Sequence, residues 1–361
     1  MKLKFKHKMI FLFLFLMFNN LNKMMFFSTL LMSTLMSISS TSWFGGWLGL
    51  EINMLSFIPL ILNNKNMMST EASLKYFLTQ TIASSILLFS SILMPIYNEY
   101  IMNFPPMTNE TINMMILSSL MMKSGTAPFH FWFPTVMEGL KWNKCLMLMT
   151  WQKIAPLMMI SYCLKNINIF MIIISLSVFI GALGGLNQTS MRKLMAFSSI
   201  NHLGWMISNL LISEMIFNFY MLMYSLMSMS IIFLMNMFNI LHINQSFSFN
   251  NNNNIIKFSM YSMLLSLGGL PPFWGFLPKW ISIQLLINNN FIFISFIMIM
   301  MTLITLYYYI RISFSAFMLN YSEPKWNFWF NYNNFNLKMT LILTFLSIIS
   351  LSLCTMLIMI M

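Results

Sequence analysis

The chain has 361 residues, 58% of them hydrophobic and 7% charged, with a mean hydropathy of +0.75 and a formal net charge of +12. A soluble domain carries about 25% charged residues, so the composition excludes a water-soluble globular protein and leaves an integral membrane protein. The cysteines Cys145, Cys163 and Cys354 and the histidines His7, His130, His202 and His242 lack the spacing of metal ligands, and no glycine-rich phosphate loop is present. This pattern argues against iron–sulfur, zinc or nucleotide binding by this chain.

Lys2, Lys4, Lys6, His7 and Lys8 precede a ten-residue apolar run, residues 9–18, that is too short to span a bilayer. The run resembles a signal peptide but no small-residue cleavage site follows it; a surface-lying extension or an upstream start are the other readings. Beyond it come about eleven apolar segments of spanning length, predicted at 24–42, 43–62, 73–97, 112–133, 145–163, 167–185, 193–212, 215–241, 255–287, 291–319 and 338–361. The ninth is long because it is interrupted, and asparagine-rich connections such as 250–254 mark turns in solvent. The expected fold is therefore an all-α polytopic membrane protein. The 43 methionines, the lack of Asp and the presence of only two Arg, Arg192 and Arg311, suggest an AT-rich gene read with extra methionine codons, as in a mitochondrial genome.

Charge placement tests the count, because Lys and Arg gather on the face from which a chain inserts. With eleven spans, the N-terminus and every even-numbered connection share one face. That face holds fifteen basic residues, among them Lys23, Lys75, Lys141, Lys144, Arg192, Lys193, Lys257 and Arg311, and the opposite face holds only Lys165. The N-terminus is expected inside, on the matrix side if mitochondrial, and the C-terminus outside. The basic surface reads as insertion topology, with contact to anionic lipid such as cardiolipin as a consequence and no role in nucleic-acid binding.

Glu51, Lys123, Lys153 and Lys279 remain within spans, joined by His202. A charge at the bilayer centre costs roughly 2.5–3.5 kcal/mol on insertion scales, so these side chains must face protein, water or one another. One acid cannot neutralise three lysines. Desolvation and like-charge repulsion favour a neutral amine, and a lysine that changes charge carries a proton. The bland alternative is a buried ion pair that fixes packing; for His202 a satisfied core histidine is equally open. Lys75, near the start of its span, reads as an interfacial anchor.

Two spans are broken by the same G-x-x-P-F pattern, Gly125-Thr-Ala-Pro128-Phe129 in the fourth and Gly269-Leu-Pro-Pro272-Phe273 in the ninth. Proline frees a backbone carbonyl that protein or water must satisfy in lipid. If spans one to five and six to ten are two repeats, about 24–163 and 167–319, the odd count inverts the second, and both breaks fall in fourth helices. The span at 338–361 is then a terminal helix. Glu51 and His202 both fall in second helices.

The segments "WLGLEINMLSFIPLI" from Trp47, "KSGTAPFHFWFP" from Lys123, "LMTWQKIAPL" from Leu148, "GALGGLNQTSMRKLMAFSSINHLGWM" from Gly181 and "LSLGGLPPFWGFLPKW" from Leu265 closely resemble the NADH dehydrogenase subunit 2 family. These are the mitochondrially encoded antiporter-like subunits of respiratory complex I. The resemblance runs from about residue 17 to the C-terminus and implies an eleven-helix antiporter-like domain in the proton-pumping membrane arm of the mitochondrial inner membrane. It implies relay roles for Glu51, Lys123, Lys153 and Lys279, with His202 in a matching motif. Other membrane-arm subunits are the expected partners, and NADH, flavin, iron–sulfur clusters and ubiquinone belong to partner subunits, with no cofactor in this chain. Residues 1–16 depart from the family pattern, so mature chains are expected to begin at Met17. A stand-alone cation/proton antiporter and a non-pumping structural subunit are the alternatives.

Overall fold

The computed structural model describes residues 21–63, 66–100, 107–164, 166–247 and 254–319, with 341–342 and 344–345. The extension at 1–16, the expected start at Met17, Lys165 and nearly all of the terminal helix at 338–361 lie outside the described residues. Helices dominate what is described, and no strand occurs there beyond one isolated bridge between Ser190 and His242. The chain runs through α1 (Leu21–Ser39), α2 (Trp43–Ile61), α3 (Met67–Tyr100), α4 (Met107–Ser124), α5 (Trp132–Gly139), α6 (Trp142–Met149) and α7 (Trp151–Ser161). It continues through α8 (Ile167–Gly185), α9 (Met191–Ile212), α10 (Glu214–Phe238), α11 (Ile243–Phe247), α12 (Asn254–Gly268), α13 (Phe276–Asn288) and α14 (Ile292–Phe314), which ends in a π-turn over Ser315–Leu319.

Among the described residues five stretches are long and apolar enough to cross a bilayer: Trp43–Ile61, Met67–Ile96, Ile167–Gly185, Glu214–Phe238 and Ile292–Met318. Other predicted spans appear as helices that are more polar or shorter. The clearest case is α9, which carries Arg192, Lys193, Asn201, His202 and Asn209 yet buries nearly all of its circumference. Polarity enclosed by other helices is tolerated in a membrane, whereas polarity facing lipid is not. On α3, by contrast, Leu74, Leu78, Ile82 and Phe89 stand more than half exposed along one side, as a lipid-facing surface requires.

The fold divides into two compact units. The first comprises the described residues up to Ser124 together with Trp151–Cys163. In it α2 packs on α1 and α3, α3 on α4, and α7 on α4, α1 and α2. Close approach of α1 and α2 depends on Gly49, where an added Cβ would lie 2.8 Å from the Ser37 backbone nitrogen. Small residues at such crossings let helix backbones touch in lipid, where van der Waals contact rather than water exclusion drives association.

The second unit comprises Gly125–Thr150 and the described residues from Leu164 onward. Helix α9 sits at its centre, packed on α8, α10, α5, α13 and α14. Its approach to α8 rests on Gly181, whose added Cβ would lie 2.5 Å from the Asn201 backbone nitrogen, and on Gly204 beside Val178 and Ser177. The α5–α6 segment is fastened within this unit by three polar contacts. Arg192 donates to the Leu140 carbonyl at 2.6 Å, Trp142 to the Ile240 carbonyl at 3.0 Å, and Lys193 pairs with Glu138 at 2.7 Å.

Candidate functional site

Both breaks expected from the G-x-x-P-F pattern are present, and they match in length. Helix α4 stops at Ser124 and α5 starts at Trp132; α12 stops at Gly268 and α13 starts at Phe276, so each break takes seven residues. Each opens on a glycine with positive φ, 74° at Gly125 and 88° at Gly269. A residue with a Cβ is strained there, which is why glycine ends both half-helices.

The second break positions Lys279. The amine, 6% exposed on the first turn of α13, donates to the Gly268 carbonyl at 2.8 Å and to the Leu267 carbonyl at 3.3 Å. These are the last carbonyls of α12, left without intrahelical donors by the break and carrying the negative end of the helix dipole. Tight folding of the loop holds the two half-helices in this relation: a Cβ on Gly275 would overlap the Ser266 carbonyl oxygen, and one on Gly269 would sit 3.0 Å from Lys279 Cδ and Nζ. A polarised peptide end thus receives a buried amine.

In the first unit, Lys123 lies on the last turn of α4, and its Nζ is buried with no hydrogen-bond partner among the described residues. Glu51 lies midway along α2, with its Oε2 in the same condition. The two interact through space, and neither forms a direct ion pair among the described residues. Tyr76 on α3 also lies in the field of Glu51 and packs edge-on against Phe57 at 5.3 Å between ring centroids. Lys153 is fully buried on α7, which packs on α4. Its neighbour Gln152 donates to the Asn53 side-chain oxygen at 3.0 Å, tying α7 to α2 two residues from Glu51. One unit therefore brings together Glu51, Lys123 and Lys153 on three helices that pack in sequence. Lys75 instead pairs with Glu71 at 2.6 Å in an exposed position, as an anchor at the interface would.

His202 lies at the centre of α9 in the second unit, 3% exposed, with its Nδ1 paired to the Tyr220 hydroxyl at 2.9 Å. Its ring also lies 4.9 Å from that of Tyr224. Ser199 lies near the Tyr224 hydroxyl and Ser198 near that of Tyr309, and the ring centroids of Tyr308 and Tyr309 lie 4.5 Å apart. This cluster of hydroxyls from α9, α10 and α14 escaped the sequence reading, which followed charge. The available signal was the pair Tyr220 and Tyr224, one turn apart inside a span rather than at its ends. Also unanticipated is the interruption at Thr150, between α6 and α7 and three residues before Lys153. There the Thr150 hydroxyl donates to the Leu146 carbonyl at 2.8 Å, a back-bond of the kind that bends helices.

No group of His, Cys, Asp and Glu able to hold a metal occurs among the described residues. What the site offers is buried amines, one carboxylate, an imidazole and hydroxyls, all able to bind or pass protons.

Residues 40–306 match the family described as NADH:quinone oxidoreductase/Mrp antiporter, TM. The chain is 56% identical over 325 residues to NADH-ubiquinone oxidoreductase chain 2 of Anopheles gambiae, covering 90% of this chain and 94% of the relative. Its fold is similar to a chain of respiratory complex I from Thermus thermophilus, with a TM-score of 0.81 at 21% identity, over 92% of this chain and 78% of that one. It is also similar to a chain of the Mrp complex from Dietzia sp., with a TM-score of 0.71 at 16% identity, over 82% of this chain and 60% of that one. With identity of this level over nearly its whole length, and with the broken helices and buried lysines in place, the chain belongs to the NADH-ubiquinone oxidoreductase chain 2 family.

Proposed function

We propose that the chain is a core membrane-arm subunit of a proton-pumping NADH:ubiquinone oxidoreductase and relays protons through its buried Glu/Lys axis. Glu51, Lys123 and Lys153 act in the first unit, His202 and Lys279 in the second. The observation that carries this reading is the Lys279 amine seated on the freed carbonyls of a broken helix. That arrangement stabilises a positive charge electrostatically and lets it leave when the local field changes. In the first unit, an ionised Glu51 favours a protonated Lys123, and moving their charges apart releases the lysine's proton onward. Each side chain gains and loses one proton per cycle, so nothing in this chain is oxidised or reduced. NADH, flavin, iron–sulfur clusters and ubiquinone reside in partner subunits, which include the other membrane-arm subunits of the complex.

The same reading includes eleven transmembrane helices in the mitochondrial inner membrane, with the N-terminus in the matrix and the C-terminus in the intermembrane space. It also includes two inverted five-helix repeats followed by a terminal helix, within a single domain over 17–361. Two breaks of equal length, each opened by a positive-φ glycine, support the repeats. Anionic lipid such as cardiolipin contacts the basic face.

The test is the complex carrying Lys279→Met, which keeps the bulk of the side chain and removes the amine. Coupled NADH turnover should fall by about a hundredfold, the lower range for a lost proton-transfer group. Wild-type turnover and pumping would refute the assignment. The fold shared with an Mrp complex favours one second reading, a cation/proton antiporter. Sodium-dependent proton flux through the isolated chain in liposomes would support it, although a sodium site favours several carboxylate oxygens and Glu51 is the one acid at mid-membrane depth.

A further inference from the structure

Helix α9 holds more buried polarity than the relay uses. Asn201, Trp205 and Asn209 recur every fourth residue and so line one stripe of the helix. Trp205 and Asn209 are fully buried and Asn201 is 2% exposed. The Asn201 side-chain oxygen, the Trp205 indole N–H and both polar atoms of Asn209 have no hydrogen-bond partner among the described residues. The Asn201 amide alone reaches a side chain, donating across 3.5 Å to the Thr305 hydroxyl on α14. A buried polar atom left unmatched costs about 1–3 kcal/mol, so four on one stripe form a costly arrangement unless water satisfies them. The stripe begins beside His202 and extends about 12 Å along the axis, at 1.5 Å per residue. It ends three residues before the helix does, at Ile212.

We propose that this stripe holds a file of internal water joining His202 to the membrane face at the C-terminal end of α9, and that protons travel along it to or from that face. The proposal rests on the proton-relay reading of the buried axis. An amide can donate to one water and accept from the next, and an indole can donate, so the side chains fit a single hydrogen-bonded file. Each hop breaks one O–H bond and forms another; a proton entering at one end releases one at the other, with no electron transferred. Because the first turn of α9 carries Arg192 and Lys193, which the charge distribution assigns to the basic face, its far end opens on the opposite side of the membrane. The stripe thus supplies a half-channel to the side where pumped protons emerge.

Two measurements on the intact complex test this. A cryo-EM map that resolves ordered water should show peaks within hydrogen-bonding distance of Trp205 Nε1 and the Asn209 amide; a dry stripe would overturn the proposal. The second is Asn209→Leu, which has similar volume and removes two unmatched polar atoms. If Asn209 only packs, this variant should be at least as heat-stable as wild type and pump normally, and that outcome also overturns the proposal. The expected result is an assembled complex of undiminished thermal stability whose coupled turnover is about tenfold lower, with Asn209→Ser, which still binds water, close to wild type. Lys279→Met runs in parallel: loss there with normal Asn209→Leu sinks the water file and keeps the relay, whereas normal behaviour of both sinks the relay itself.

Discussion

At the scale of single residues, the chemistry depends on where backbone groups are left unsatisfied. Lys279 is held by two carbonyls that exist as free acceptors only because α12 stops at Gly268. Gly269→Ala should therefore act through the lysine. Its φ of 88° disfavours any Cβ by on the order of 1–2 kcal/mol, and the methyl would press on Lys279 at 3.0 Å. Coupled turnover should drop by about tenfold or more in complexes that still assemble, since small displacements of a reacting group are costly. The neighbouring Gly268→Ala meets only ordinary contacts of 3.4 Å and beyond and should leave turnover near wild type. Equal turnover in the two variants would show that the geometry of the break does not hold the amine. Tyr220→Phe is the matching test for the imidazole, because it removes the hydroxyl paired to His202 while keeping the ring. It should lower coupled turnover several-fold without loss of assembled complex. The charged members of the site were legible in the sequence because a charge in a membrane span announces itself. The tyrosines and serines around His202 were not, since a hydroxyl in an apolar run reads as ordinary packing until a partner is seen.

At the scale of elements, hydropathy places two helix boundaries closely, Trp43–Ile61 against a predicted 43–62 and Ile167–Gly185 against a predicted 167–185. Helix α3 instead starts at Met67, six residues before its predicted 73–97, because its polar first turns leave no hydropathy signal. Both proline-marked breaks were legible as departures from an apolar run. The interruption at Thr150 was not, because a threonine back-bond leaves no compositional mark. Nor does sequence spacing reveal that the segment 125–150 joins the second unit while the helices on either side of it join the first. Packing between elements gives its own prediction. Gly181→Leu would drive a side chain into the Asn201 backbone, which cannot rotate away, and should destabilise the α8–α9 pair by about 1–3 kcal/mol or more. The readout is loss of assembled complex and a lower temperature of inactivation. Gly45→Ala, whose methyl meets only serine side-chain atoms at 3.2–3.3 Å, should be tolerated.

At the scale of the whole molecule, a membrane protein that buries three amines and an imidazole and encloses a carboxylate oxygen retains desolvation costs that packing alone would eliminate. The proposed return is charge that can be moved: Glu51 and Lys123 interact through space without closing into an ion pair, each with a buried atom that has no hydrogen-bond partner among the described residues. A closed pair would fix the proton; an open one lets a neighbouring charge shift it. The chain's start is tested separately, by N-terminal mass spectrometry, with peptides beginning at Met17 expected and recovery of peptides from residues 1–16 the contrary result. The central claim is tested most directly by the proton-to-electron stoichiometry and coupled NADH turnover of purified complex carrying Lys123→Ala. Relay through this axis predicts that both collapse while the complex stays assembled; wild-type stoichiometry and turnover in that variant would contradict it.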